Sequence, residues 1–446
     1  MRNQLMIIIA VLYLNFGYAQ EQTYSYTLEE AVQFALENNY AAINAERDII
    51  DAQKQKWETI ASGLPQINGA VSYQNQLKQP VSLLPAELAG GEAGTFIPVI
   101  FSQPQSATAT ATLTQQIFDG SYIVGVQATK AFLSYSANNK EKTALDVRKQ
   151  VVEAYGNVLL AEESVDILEK NKATLEKNLY ETSKLYENGL GDEESVDQLQ
   201  ITLSSIENQL QNALRLKEIT LQMLNLSMGL DLDIPTNLKE NLEDLTVSKI
   251  DLGIVGSDFN INDNVDFKLA ENVNQQRYYE WKLARSRALP TLNAFVNYGS
   301  SAYSDNFDFL SSDQQWFDSS ILGFDLSIPI FSSFKRSAST QRAKIALEKA
   351  KTQLTEAEQQ IRLQLENAKN SYTLAISNYE TAKQNLELSE RIEQKNQIKY
   401  KEGLATSFEL RQAQTQLYTT QQEYLQSMVE VINKKTELEI ILNKKA

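Results

Sequence analysis

The chain has 446 residues with neither His nor Cys, which removes the commonest general base, the thiol nucleophile and nearly every transition-metal ligand set. Ser, Asp and Lys remain for chemistry, so an enzyme is disfavoured rather than excluded. A formal charge of −16 repels nucleic acid, and no compact basic stripe offsets it.

Residues 1–19 read as a signal peptide. Arg2 supplies the positive start, Leu5 to Leu14 is nearly all apolar, and Gly17-Tyr18-Ala19 is a small-x-small site with cleavage expected after Ala19. The alternative, an N-terminal anchor, needs a run of about 20 apolar residues. No later segment approaches a spanning helix, so any membrane insertion must use strands.

Thr27-Leu28-Glu29-Glu30 is a capping box that opens a helix expected over 27–62. Period-two alternation follows at 67–73, where Ile67, Gly69, Val71 and Tyr73 share a face, and at 107–113, where Ala107, Ala109, Ala111 and Leu113 do. A helix over 121–188 places apolar residues at 147, 151, 154, 158, 161, 165 and 168, a spacing that specifies a left-handed supercoil. Lys172 and Lys217 interrupt that seam. A further helix spans 194–229, and residues 230–262, with Pro235 and several Asp, break the pattern. Then come a helix over 264–288, strands at 292–298 and 322–330, and helices over 332–401 and 407–443. In the last, Leu410, Leu417, Tyr424, Val431 and Leu438 recur every seven.

The sequence aligns on itself. At an offset near 214, Tyr186-Glu187-Asn188-Gly189-Leu190 meets Tyr400-Lys401-Glu402-Gly403-Leu404. Before the strands the offset is 225, pairing Asn39 with Asn264 and Leu64-Pro65 with Leu289-Pro290, so the first inter-strand loop is the longer. The chain therefore divides into a first repeat at 20–229, a linker at 230–262 and a second repeat at 263–446. Each copy reads as one long rod, roughly 100 Å at 1.5 Å per residue, beside two shorter rods stacked end to end.

The strands suit a membrane wall, with one apolar face apiece. Lys and Arg are absent from 79–129 and 288–334, and Tyr298, Tyr303, Phe307, Phe309, Trp316 and Phe317 crowd the strand ends and second loop. A small soluble sheet capping a helical bundle is the competing reading. In lipid, four strands cannot close and open edges are not tolerated, so the chain must oligomerise; eight and twelve strands are both possible.

The duplicated helix–strand pairs, the Leu-Pro before strands one and three, and the turns Gln116-Ile117-Phe118-Asp119-Gly120 and Ile328-Pro329-Ile330-Phe331 resemble the TolC-type outer membrane efflux proteins. The resemblance covers essentially the whole mature chain. It implies a mainly α fold with a β membrane part: a homotrimer whose twelve-stranded β-barrel continues into a twelve-helix α-barrel tunnel. It further implies a passive exit duct in the outer membrane, extending into the periplasm and without a cofactor. A periplasmic adaptor and an inner-membrane pump would be its partners, with outer-membrane lipid around it and no nucleic acid. Two sites follow from the resemblance. The hairpin tips, with Gly189, Leu190 and Ser195 in one copy and Gly403, Leu404, Thr406 and Ser407 in the other, would dock the adaptor. Glu409 would stand at the pore entrance, with Gln412 where the family places a second acid.

A soluble periplasmic coiled-coil adaptor or scaffold is the alternative. An exported hydrolase is the third possibility, but the sequence has no Gly-x-Ser-x-Gly elbow and no phosphate-binding glycine loop.

Overall fold

Thr27 and Glu30 cap each other reciprocally, and on that box starts α1 (Leu28–Asn38). A computed structural model describes residues 24–444; the signal peptide expected at 1–19 lies outside the described residues. The helix expected over 27–62 is in fact two. Asn39 turns to extended backbone (φ −62°, ψ 137°) and α2 (Tyr40–Ala61) starts beyond it. Asn39 is buried, its Oδ1 accepting from the Ala41 N–H at 2.8 Å while its Nδ2 donates to the Ser227 carbonyl at 2.7 Å.

The remaining helices are α3 (Gly120–Glu187), α4 (Glu193–Met228), α5 (Leu242–Lys249), α6 (Val265–Ser286), α7 (Lys335–Lys401) and α8 (Ser407–Ile441). The strands are β1 (Tyr24–Tyr26), β2 (Gln66–Asn75), β3 (Ser82–Pro85), β4 (Phe96–Val99), β5 (Gln105–Asp119), β6 (Thr236–Leu238), β7 (Thr291–Ser304) and β8 (Trp316–Ser327). The chain is thus mostly helical with a smaller β region. The break at Asn39 makes the copies more alike than their sequences suggest. The long helices have 68 and 67 residues, and their shorter companions 36 and 22 in one copy, 35 and 22 in the other.

Two compact units divide the chain, and each draws on both copies: one takes residues up to 49, 135–271 and from 353 on, the other 50–134 and 272–352. In the first unit the seven-residue pattern becomes a core. Val147, Val151, Ala154, Val158, Ala161 and Val165 of α3 are buried, as are Leu410, Leu417, Tyr424, Val431 and Leu438 of α8. Each fully buried Val, Leu or Ile contributes about 1.5–3 kcal/mol. Lys172 and Lys217 do not disturb this packing. They reach Glu207 at 3.2 Å and Glu162 at 3.1 Å, tying α3 to α4.

The segment 230–262 is more ordered than a break in pattern implied. β6 pairs in parallel with β1, Tyr24 opposite Thr236. Asn225, fully buried, donates to the Leu232 and Ile234 carbonyls and accepts from Thr236, so the chain after α4 folds back onto that helix. Two buried tyrosines hold the same segment from α3 and α7. The Tyr155 hydroxyl lies 3.1 Å from both the Tyr26 carbonyl and the Glu240 carboxylate, and Tyr372 donates to the Lys249 carbonyl while accepting from the Asp251 N–H. Burial first, and then the Glu240 charge, push the Tyr155 phenol well above its usual range, so it stays a donor.

The internal repeat is visible in the hydrogen bonds of this unit. Asn264 does for α6 what Asn39 does for α2, accepting from the Phe267 N–H and donating to the Ile441 carbonyl at 3.0 Å. Both donate to the end of a helix much later in the chain, α4 or α8. Those helix ends also match. Gly229 (φ 81°) and Asn443 (φ 52°) take the left-handed position, and the next residues, Leu230 and Lys444, donate back to Asn225 and Glu439.

Replacing Asn39 or Asn264 by Ala leaves helix-start N–H groups and a buried carbonyl unpaired, and each should cost about 1–3 kcal/mol in denaturation. Gly229→Ala should cost more than Gly403→Ala. Both positions have positive φ, but a Cβ at 229 meets the Asn38 carbonyl oxygen at 2.2 Å, whereas one at 403 meets nothing within 4 Å. Equal losses would contradict this account of the α4–α2 junction.

Candidate functional site

The tip residues lie in the first unit and form two turns built on one plan. Gly189 (φ 73°) ends α3, with Leu190 donating to the Leu185 carbonyl; Gly403 (φ 71°) ends α7, with Leu404 donating to the Lys399 carbonyl. These are Schellman-type ends, which glycine adopts without strain. Each turn pushes a leucine outward, Leu190 at 77% and Leu404 at 73% exposure.

Helix starts follow at once. In the first turn Asp192 accepts from the Ser195 N–H at 2.7 Å and from the Ser195 hydroxyl at 3.0 Å. In the second, Thr406 accepts from the Glu409 N–H at 3.2 Å, and the Glu409 carboxylate accepts from the Thr406 N–H at 2.7 Å. The carboxylate and the hydroxyl have exchanged places between the copies. Hydrogen bonds from the capped backbone hold both Asp192 and Glu409 below the usual carboxylate range. Glu409 and Gln412 are both exposed, one helical turn apart. The Glu409 carboxylate thus has a local structural task, closing the start of α8, that the pore-entrance expectation did not include.

The two turns are tied to each other. The Thr182 and Tyr400 hydroxyls are 3.0 Å apart, Ser407 donates to Gln198 at 3.1 Å, and Lys401 lies 3.5 Å from Glu181. Sequence reasoning passed over Thr182 and Gln198, and it marked Tyr400 only as part of the repeated tip motif. Its one available signal was the seam itself: a second step of three after Leu168 moves the phase off Lys172, and steps of four and three then link Asn171, Leu175, Asn178 and Thr182, all buried. Toward the tips the seam therefore turns polar. Asn171 donates to Gln421, and Asn178 accepts from Gln397. Gln414 is almost fully buried. Burial raises the nearby Glu393 carboxyl above its ordinary range.

In the second unit β2, β5, β7 and β8 form one antiparallel sheet in that order. Register places Ile67, Leu113, Val296 and Leu322 in a row, and Tyr73, Ala107, Ala302 and Trp316 in another on the same face. Apolar side chains on this face of the outer strands are open, with Val71 at 83% and Leu322 at 69% exposure. On the opposite face Asn68, Thr112 and Asn297 share one row and Ser72, Thr108 and Ser301 another, and Asn297 donates to Thr112 at 2.6 Å; the rows are polar across β2, β5 and β7 and end on the exposed Ile321 and Phe317 of β8. The loop after β7 folds back so that Phe309 covers Ala107 and Ala302, and Phe307 and Phe309 meet the Tyr73 ring edge-on. The strand expected over 322–330 begins earlier and ends at Ser327, where Pro329 removes a ladder donor. β3 and β4 form a separate hairpin in the longer first loop.

No helix among the described residues is long and apolar enough to cross a membrane. Nor, among them, do three or more His, Cys, Asp or Glu gather as metal ligands would.

Residues 261–444 match the family model described as outer membrane efflux protein. No curated relative matches the chain. Among solved structures, the chain is similar to the outer membrane protein VceC of Vibrio cholerae, with 15% identity, a TM-score of 0.70, and coverage of 93% of this chain and 95% of that one. It is also similar to the CmeC outer membrane channel of Campylobacter jejuni, at 18% identity and TM-score 0.72, covering 93% of this chain and 85% of the other. The open-state MtrE outer membrane channel of Neisseria gonorrhoeae gives 17% identity, TM-score 0.68 and coverage of 93% and 88%. At these identities the likeness is one of fold, and it joins the partial family match in similarity to outer membrane channels.

Glu393 supplies a pH test of the polar seam. A carboxyl whose folded pKa is raised opposes folding when ionised, so its penalty disappears as pH falls to the ordinary carboxylate range. Glu393→Gln should therefore raise thermal stability at neutral pH, with the gain vanishing near or below the reference value of 4.5. A gain that persists unchanged in acid would contradict the buried-charge reading.

Proposed function

We propose that this chain is the outer-membrane exit duct of a tripartite efflux or type I secretion system, a passive conduit assembled as a homotrimer. What supports it above all is the four-stranded sheet, with exposed apolar side chains on one face, polar rows across β2, β5 and β7 on the other, and two unpaired edge strands. Strands in lipid must satisfy every backbone group, so β2 and β8 need partners from other copies. Three chains supply twelve strands, apolar outward and polar toward a lumen, and twelve helices for a tunnel. In this reading 20–229 and 263–446 are the duplicated units and 230–262 joins them.

The tips are the docking elements for a periplasmic adaptor, which links the duct to an inner-membrane pump. Leu190 and Leu404 are the apolar anchors, held outward by turns at Gly189 and Gly403, with Ser195, Thr406 and Ser407 fixing the helix starts. Glu409 and Gln412 lie at the pore entrance, where Glu409 provides one acid per chain while also capping α8. A ring of such charges acts on cations passing close by.

Detergent-extracted protein should run as a heat-modifiable oligomer and open discrete conductance steps in a planar bilayer; a monodisperse water-soluble species without detergent would overturn the duct. Glu409→Ala should weaken block by multivalent cations by about tenfold, and unchanged block would remove Glu409 from the entrance. Joint Leu190→Asp and Leu404→Asp should abolish adaptor cross-linking while conductance persists, and retained cross-linking would remove the tips from docking.

A further inference from the structure

The helix ends beside the strands carry a charge unlike the rest of the chain. Residues 335–352 hold Lys335, Arg336, Arg342, Lys344, Lys349 and Lys351 against one acid, Glu348, although the whole chain bears −16. On α6 the same region bears a stripe of rings and cations. Lys282 lies 4.9 Å from the centre of the Tyr278 ring, Arg285 lies 4.9 Å from that of Trp281, and the two rings are 5.9 Å apart. Positions 278, 281, 282 and 285 fall on one side of the helix. The other side is occupied, since the Ala284 carbonyl accepts from Thr340 and Ser286 pairs with Ser121. Neither Lys282 nor Arg285 has an ion-pair partner among the described residues, whereas Arg277 is matched by Glu280 at 2.7 Å.

The first copy keeps this feature in altered order. At the offset of 225, Lys56-Trp57 of α2 stands where α6 has Trp281-Lys282. Lys56 is exposed, and Trp57 is 61% exposed, which burial in a core does not explain. The chain has three Trp in all. Two stand at this level, and the third, Trp316, starts β8 at the far end of the sheet.

Lengths fit a bilayer. From Trp316 to Leu326 β8 runs for about 34 Å along the strand at 3.4 Å per residue, or about 25 Å at the tilt of a membrane barrel. Trp281 lies five residues before the end of α6, roughly 7 Å at 1.5 Å per residue. That matches a headgroup layer of about 5–7 Å on each side of the hydrocarbon.

Resting on the membrane reading above, we propose that Lys56 and Trp57 of α2, with Tyr278, Trp281, Lys282 and Arg285 of α6, form a collar that binds the headgroups of anionic phospholipid. The cations meet the phosphates, and the rings pack against them within the same headgroup layer. Lys335 and Arg336, at the start of α7, add to the same field. The occupant is a lipid rather than a protein because the collar continues an exposed apolar sheet face and carries its charges at headgroup depth.

The full-length protein is reconstituted into phosphatidylcholine vesicles with and without phosphatidylglycerol, and Trp fluorescence is quenched with brominated forms of each lipid. Brominated phosphatidylglycerol should quench several-fold more effectively than brominated phosphatidylcholine at equal content, and the preference should shrink as salt rises. Joint Lys56→Gln, Lys282→Gln and Arg285→Gln should abolish the preference; Trp57→Phe with Trp281→Phe should abolish it too, leaving only Trp316 to report. Equal quenching by the two lipids in the parent protein, expected if a protein or a sugar polymer occupies this face, would overturn the collar. So would a preference that survives the triple change. Flotation separates the two ideas: protein that fails to float with vesicles overturns the membrane reading, and floating protein without lipid preference overturns the collar alone.

Discussion

A β-sheet with two open edges and an uncovered apolar face is not a finished structure. Each N–H and C=O along the free sides of β2 and β8 needs a partner, and in hydrocarbon an unmet group costs several kcal/mol. Water meets that need for an ordinary edge strand, but not one whose outward side chains are Ile67, Val71, Leu322, Phe324 and Leu326. The alternation of apolar and polar rows, the absence of Lys and Arg from 288–334 and the Trp that starts β8 all answer to that one constraint. The polar rows across β2, β5 and β7 on the opposite face suit a water-filled lumen within such a wall.

The helical unit solves a different problem, holding two copies of one plan in step while their surfaces diverge. It does so with helix ends. Asn39 and Asn264 each cap one helix and hold the last carbonyls of another. Gly229 and Asn443 fill the same left-handed position, since Asn tolerates positive φ better than most residues. The tips vary the scheme further, with Asp192 and Ser195 in one copy exchanging roles with Thr406 and Glu409 in the other. Backbone demands are retained where side-chain identity is not, because the orphan groups at helix termini must be met whatever residue supplies the partner.

Periodicity made much of this legible. The buried positions of α3 and α8 are those the seven-residue spacing marks, and β2, β5 and β7 begin within two residues of the alternation, whereas β8 begins six residues before it. What periodicity missed was set by single residues or by distant pairing. The break at Asn39 interrupts no apolar pattern, and its cause, the Ser227 carbonyl, lies far along the chain. The parallel pairing of β1 with β6 spans short segments with too few residues to alternate. At the tips the glycines and exposed leucines were legible, but the bonds joining the turns, Thr182 with Tyr400 and Gln198 with Ser407, depend on how two coiled hairpins meet. Glu409 shows the limit most clearly: its spacing to Gln412 is readable, yet its reciprocal bond with Thr406 follows from a capping box that was also written there as Thr-x-x-Glu.

The central claim is that β2 of one copy pairs with β8 of the next. Because the chain has no Cys, single cysteines can be introduced along both edge strands without background. Ser72→Cys and its neighbours on β2, combined with Ser319→Cys and its neighbours on β8, should on oxidation in the membrane give a ladder of linked chains ending at three for one register. Chains that remain unlinked at every register, or a ladder that continues past three, would contradict a closed trimeric wall.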